Sequence, residues 1–316
     1  MLLIGSKAWE LNQGPSLGRA ATDLDIICTQ EEFYALLPKL NIAPLLIQSI
    51  KIKGEHAVVI IKDNSSAAPK RVILEASFTD VAGKLTESNK QLVDKLGHAL
   101  QHQVPILGSV IVPPCGVLLA LKLSHKYKES VHFHKTRNDI LIMKKFKYLP
   151  SIVGTLWLLQ WQTARIQATA KKAPVLKQDK STFFNENVPY VYDHDTIHAS
   201  VKHLDKPAYC YYMQDDEEVL SSREKFFAQS EIVRLYGVLE ESYVLALERA
   251  VIPYGTDPKK AFDTALVKVC TTITSGFFRE YAWENYDKIQ ALYHESYIIK
   301  FQHALKTGCI GNYHRP

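Results

Sequence analysis

The chain has 316 residues, 47% of them apolar and 22% charged, the composition of a globular protein with a sizeable core and not of a disordered chain. A net charge of +5 permits a polyanionic partner without demanding one. No run reaches the roughly 18 apolar residues of a membrane span, and five cysteines with no CxxC pair argue against a disulfide framework or zinc knuckle and for a reducing compartment, cytoplasm or nucleus.

In chain order, "MLLIGSKAWE" lacks the basic flank and cleavage site of a secretory signal and reads as a first strand, with "KAWEL" as a single helical turn. "TDLDIIC" is a strand. "TQEEFYALLPKL" is a helix with Thr29 as N-cap, Glu31 and Glu32 in its first turn, and Phe33, Leu36 and Leu37 as its apolar stripe. "LIQSIKIKG", "EHAVVIIKD" and "KRVILEASF" read as consecutive antiparallel strands, joined at Gly54-Glu55 and through "NSSAAPK". The expected fold class is α+β, a small mixed sheet of about five strands ending near residue 80, followed by an α-helical body.

The body is read as helical throughout. "ESNKQLVDKLGHALQHQ" repeats its apolar residues at helical spacing through Leu100, and Pro113-Pro114 announce the helix of "CGVLLALKLSHKY". "TRNDILIMKKF", "PSIVGTLWLLQWQTARI", "SEIVRLYGVLEESYVLALERAVIP" and "PKKAFDTALVKVCTTIT" continue the pattern. "KKAPVLKQDKSTFFNENVPYVYD" has no period and reads as a long loop. The domains expected are 1–110, an α/β core; 111–175, a helical extension; and 176–316, an α-helical C-terminal domain.

Two carboxylates in one strand carry the chemistry. Residues i and i+2 of a strand share a face, so Asp23 and Asp25 lie side by side and disfavour each other's ionisation. A cation removes that penalty, and rigid oxygen ligands suit Mg²⁺, or Mn²⁺, with phosphate oxygens completing the shell. The Gly5-Ser6 turn suits the phosphate: glycine admits close backbone approach and serine adds a donor. Glu75, flanked by apolar residues within "RVILEASF", is a third carboxylate, costly in a strand unless paired or metal-bound.

The order "LIGSKA", "TDLDII", "ILEAS" resembles the nucleotidyltransferase (polymerase-beta-like) superfamily. Arg19 before the aspartate pair is similar to a basic residue that many members have there. "LLALKLSHKYKESVHFHKTRNDILIMKK" resembles the helical region after the core of minimal and toxin-type members, with Lys122, Lys135 and Asp139 at the matching positions. The likeness covers residues 1–148. The long gap between Ser6 and Asp23, and a glutamate where aspartate is commoner, depart from the pattern. The resemblance implies Asp23, Asp25 and Glu75 as metal ligands, with Gly5, Ser6, Lys7, Arg19, Lys122 and Lys135 toward the phosphates of an NTP. It implies transfer of a nucleotidyl group to a hydroxyl of a nucleic acid, a protein or a small molecule. The alternatives are a nucleic-acid-directed hydrolase on the same fold, a phosphodiesterase or a glycosylase acting on modified bases, or an inactive nucleotide- or nucleic-acid-binding protein.

Two further groups stand out. "YDHDTIHASVKH" places His194, Asp195 and His198 where they can ligate a metal or act as acid and base. "TSGFFREYAWENY" gathers Phe277, Phe278, Tyr281, Trp283 and Tyr286 around Arg279, either as a packed helical core or as a base-stacking surface. His125, His132 and His134 read as surface or interface histidines.

Overall fold

The computed structural model describes residues 1–12, 16–97, 101–128, 131–146, 154–169, 228, 258–272 and 276–291. The chain divides into two units, Met1–Thr169 and Ala170–Pro316. The first unit holds a seven-stranded mixed sheet, formed by β1 (Leu2–Ile4), β2 (Asp23–Cys28), β3 (Leu45–Lys53), β4 (His56–Asp63), β5 (Lys70–Phe78), β6 (Gln101–Val104) and β7 (Gly108–Ile111). Their spatial order is β3-β4-β5-β2-β1-β7-β6. β2 and β5 are parallel, as are β1 and β7, and every other pair is antiparallel.

The expected antiparallel run β3-β4-β5 is present, but the sheet does not stop near residue 80. The helix expected to continue through Leu100 is α3 (Thr86–Leu96), with Gly97 as its C-cap. The chain then returns as the β6-β7 hairpin, whose turn includes Ile106 and Gly108 at positive φ. Only four residues long and mostly polar, β6 is an edge strand with too few apolar residues to announce a period. The "KAWEL" turn is likewise longer than expected: α1 (Gly5–Leu11) follows β1 directly and buries Ala8 and Trp9.

Alternation along β2 divides the sheet's faces. Leu24, Ile26 and Cys28 are buried on one face. There α2 (Gln30–Leu36) brings Phe33 edge-on to Phe78, with ring centroids 5.4 Å apart. Thr29 caps α2 as expected, accepting from the Glu32 amide while the Glu32 carboxylate accepts from the Thr29 amide, a reciprocal capping box. Asp23 and Asp25 point to the opposite face, toward α1.

Three more helices close the unit: α4 (Cys115–Leu123), α5 (Phe133–Lys144) and α6 (Thr155–Thr169). Arg165 of α6 ties them to α3. Its guanidinium donates to Ser88 Oγ and Asn89 Oδ1, each at 2.7 Å, and lies over the Trp161 ring. Burial pulls its pKa down to about 10, against the attraction of Glu55.

Glu55 itself is a buried carboxylate with a structural task. It accepts from the backbone of Lys84 and Leu85 at 2.9 and 2.8 Å and from Thr86 Oγ at 3.1 Å, capping the start of α3. A Cβ at Gly83 would fall 2.2 Å from the Glu55 carboxyl carbon, so glycine is required for this approach. Glu55→Ala, which strands these donors, is expected to cost about 2–3 kcal/mol, read as a lower midpoint in urea with unchanged slope.

In the second unit, α7 (Pro258–Thr272) and α8 (Gly276–Glu284) pack together. Trp283 and Tyr286 are buried there, so these two aromatics are core residues and not a surface for stacking bases. His194, Asp195 and His198 lie outside the described residues, as do the loop expected after residue 170 and the amphipathic helix expected over 230–253.

Candidate functional site

The register of the sheet brings the separated motifs into one row. Ile4 of β1 pairs with Asp25 of β2, and Asp25 pairs with Glu75 of β5. Paired residues share a face, so the Asp25 and Glu75 side chains stand next to each other, with Asp23 two residues along β2 on the same face. These carboxylates open into a cavity of about 310 Å³, which Gly5, Ser6 and Arg19 also line. Its helical wall carries Lys122, His125, Lys128, Lys135 and Asp139.

Gly5 is where the fold makes room. It sits at φ +73°, and a Cβ there would lie 1.9 Å from Asp25 Oδ2. The turn from β1 into α1 therefore passes against the Asp25 carboxylate at a distance that only glycine permits.

Burial pushes the Asp25 carboxyl up to about 6; Glu75 and Asp23 add to the rise, while Lys122 and Lys135 oppose it. A cation among these oxygens would relieve both the burial cost and the repulsion, and an all-carboxylate donor set suits Mg²⁺ or Mn²⁺. In chemistry the residues fit such an ion. Among the described residues no three of His, Cys, Asp and Glu already converge as a metal-holding group. Coordination by all three would require the exposed Glu75, on its longer stem, to swing toward Asp25.

Asp139 organises the helical wall. It is buried, and its Oδ2 receives Arg19 Nη2 and Lys122 Nζ, each at 2.8 Å. This ties the loop before β2 to α4 and α5 and sets two cations beside the carboxylates. Asp139 Oδ1 is buried without a hydrogen-bond partner. Lys7 does not join them. It follows Ser6 by about 100° around α1, does not line the cavity, and pairs with Glu10 at 3.1 Å.

His125, read from sequence as a surface or interface histidine, lines the cavity wall. Its Nε2 is shielded from solvent and has no hydrogen-bond partner. Burial, reinforced by Arg165, Lys128 and Lys122, pushes its pKa down to about 3, so the imidazole is neutral at physiological pH. Lys128 also lines the cavity, although a lysine in a basic run carries no signal in sequence beyond its charge.

No helix among the described residues is long and apolar enough to cross a membrane. No curated protein and no solved structure matches the chain. One family does match, over residues 117–302, under the description "Domain of unknown function (DUF7275)". The match takes in the helical wall with Lys122, His125, Lys135 and Asp139, and it starts after the strands that carry Asp23, Asp25 and Glu75. It covers more than half of the 316 residues, and the chain belongs to that family.

Proposed function

We propose that the chain is a Mg²⁺-dependent nucleotidyltransferase, moving a nucleotidyl group from an NTP to a hydroxyl acceptor. One observation carries the reading: Asp25 and Glu75 pair on adjoining strands, the Gly5 turn that follows β1 passes against Asp25, and all three face a cavity whose other wall carries lysines. A triphosphate needs both halves. Anionic oxygens hold the ions it travels with, and cations neutralise the charge that builds on it.

Asp23, Asp25 and Glu75 would hold the divalent cation, which would supply charge neutralisation to the phosphates. Ser6 Oγ and the Gly5 turn receive the phosphate chain. Lys135 faces it from α5, and Arg19 and Lys122 are kept in place by Asp139. The acceptor oxygen forms a bond to the α-phosphorus, the α–β phosphoanhydride bond breaks, and pyrophosphate leaves with that electron pair. The hydroxyl proton is released on the solvent side of the cavity. His125, uncharged among these cations, offers a neutral hydrogen-bonding group to the bound nucleotide.

The test uses the full-length protein, each α-labelled NTP and Mg²⁺, with RNA, DNA, protein and a cell-extract small-molecule fraction offered as acceptors. Label is expected to move to one acceptor class, and Asp23→Asn with Asp25→Asn to reduce transfer by at least about a thousandfold. No transfer to any class, or transfer undiminished in the double variant, would overturn the proposal.

A further inference from the structure

The row through Asp25 and Glu75 does not end at the cavity. Glu75 pairs with Val58 of β4, and Val58 pairs with Lys51 of β3. The neighbouring rows run Asp23, Ile73, Ile60, Ser49 on one side and Ser77, His56, Lys53 on the other. Beyond them, Arg71, Lys62 and Leu46 form a further row, displaced by the bulge between Ile47 and Ser49. The face that bears the carboxylates thus continues across β5, β4 and β3 to the edge of the sheet.

Away from the carboxylates, the β3, β4 and β5 part of this face is basic. Lys51, Lys53, Lys62 and Arg71 lie on it, and within β3, β4 and β5 its sole acidic residue is Glu75 of the site. Asp63 of β4 falls on the opposite face by alternation. Lys51, Lys53 and Arg71 are exposed, and none of the four cations makes an ion pair among the described residues. Between them lie the half-exposed Val58, Ile60 and Ile73, a flat apolar strip leading to the carboxylates. Three strand spacings separate Asp25 from Lys51, about 14 Å.

We infer that this face is the track for the acceptor, and that the acceptor is the end of a single-stranded nucleic acid. The inference rests on the transferase reading above, and it names the acceptor. Spaced, unpaired cations flanking an apolar strip suit an extended chain with a phosphate at every unit and a flat apolar group between. An acidic polypeptide has no regular alternation of that kind. A small molecule would not need a surface reaching to the sheet edge. The terminal hydroxyl lies at the Asp25–Glu75 row, where it attacks the α-phosphorus as written above, and the preceding phosphates follow the row toward Lys51 and Lys53. No Phe, Tyr or Trp projects from these strands on this face, and His56, exposed beside Lys53, is its one aromatic ring.

Two measurements on the full-length protein separate the track from the transferase reading. The first is binding of fluorescent single-stranded RNA and DNA homopolymers across a salt series, with poly-glutamate as competitor. The second is the melting shift given by Mg²⁺ with a non-hydrolysable NTP. The variant is Lys51→Ala, Lys53→Ala, Arg71→Ala. The track predicts oligonucleotide binding weakened at least about tenfold in the variant, with the salt slope reduced by about 2, near 0.7 per lost phosphate contact, and an unchanged nucleotide-induced melting shift. Binding equal to that of the unaltered protein, or displacement of oligonucleotide by poly-glutamate at matched charge concentration, overturns the track. Absence of the melting shift in the unaltered protein, with oligonucleotide binding still lost in the variant, supports the track and sinks the transferase reading instead.

Discussion

Replacing Gly5 with alanine is expected to be among the most damaging single-methyl changes available in this chain. Two costs combine. At φ +73° an L-residue loses about 1–2 kcal/mol relative to glycine. The added Cβ would also sit 1.9 Å from Asp25 Oδ2 and 2.8 Å from its carboxyl carbon. Asp25 belongs to a strand paired on both sides, so its backbone cannot retreat and the side chain must rotate out of the cavity. The sum is at least about 3 kcal/mol of stability, with loss of any activity that uses the Asp25 carboxylate. Gly18 supplies the control. It has nearly the same φ, +72°, and a Cβ there would meet nothing within 4 Å. Gly18→Ala should therefore cost only the conformational part, about 1–2 kcal/mol. Equal losses in urea titrations of the two variants would mean that no carboxylate lies against Gly5.

Asp25→Asn should act in the opposite direction on stability. The Asp25 pKa in the folded chain is raised to about 6 from 3.8. Between those values the folded state holds a proton that the unfolded state has lost, so this carboxyl's contribution declines as pH rises from about 4 to about 6. Above that window the folded protein carries an unfavourable charge costing roughly 3 kcal/mol. In a chelator-containing buffer near pH 7.5, Asp25→Asn should stabilise the fold by about 2–3 kcal/mol, and the gain should vanish as pH is lowered to about 4. Mg²⁺ should then raise the melting temperature of the unaltered protein and leave that of the variant unchanged. A variant less stable than the parent at neutral pH without metal would show that the carboxylate is already satisfied by the protein. The pattern is that of a site whose charge is held at a cost in the folded chain.

Legibility in the sequence followed how locally each feature is encoded. The N-cap at Thr29, the alternation of β2 and the antiparallel run β3-β4-β5 rest on short-range spacing, and each stands in the structure as expected. The shared face of Asp23 and Asp25 needed only the two-residue period. That Glu75 lies beside Asp25 needed strand order: 50 positions apart, they meet because β5 joins β2 in parallel after the β3-β4 excursion, which no local pattern encodes. The β6-β7 hairpin escaped because the periodicity before it ran on smoothly through Leu100, and because a four-residue polar edge strand has little to read. His125 escaped for a different reason. Whether a histidine is a solvated surface group or a neutral cavity wall depends on Lys122, Lys128 and Arg165 around it, and Arg165 lies 40 positions downstream on α6.

The central claim is that Asp23, Asp25 and Glu75 form one divalent-cation site serving a bound nucleotide. Titration of the full-length protein with Mn²⁺, followed by electron paramagnetic resonance with and without a non-hydrolysable NTP, tests it most directly. The account predicts bound Mn²⁺ whose affinity rises with the nucleotide, weakens at least about tenfold in Glu75→Gln and disappears in Asp25→Asn. Mn²⁺ bound equally by the unaltered protein and by Asp25→Asn, or unaffected by the nucleotide, would contradict it.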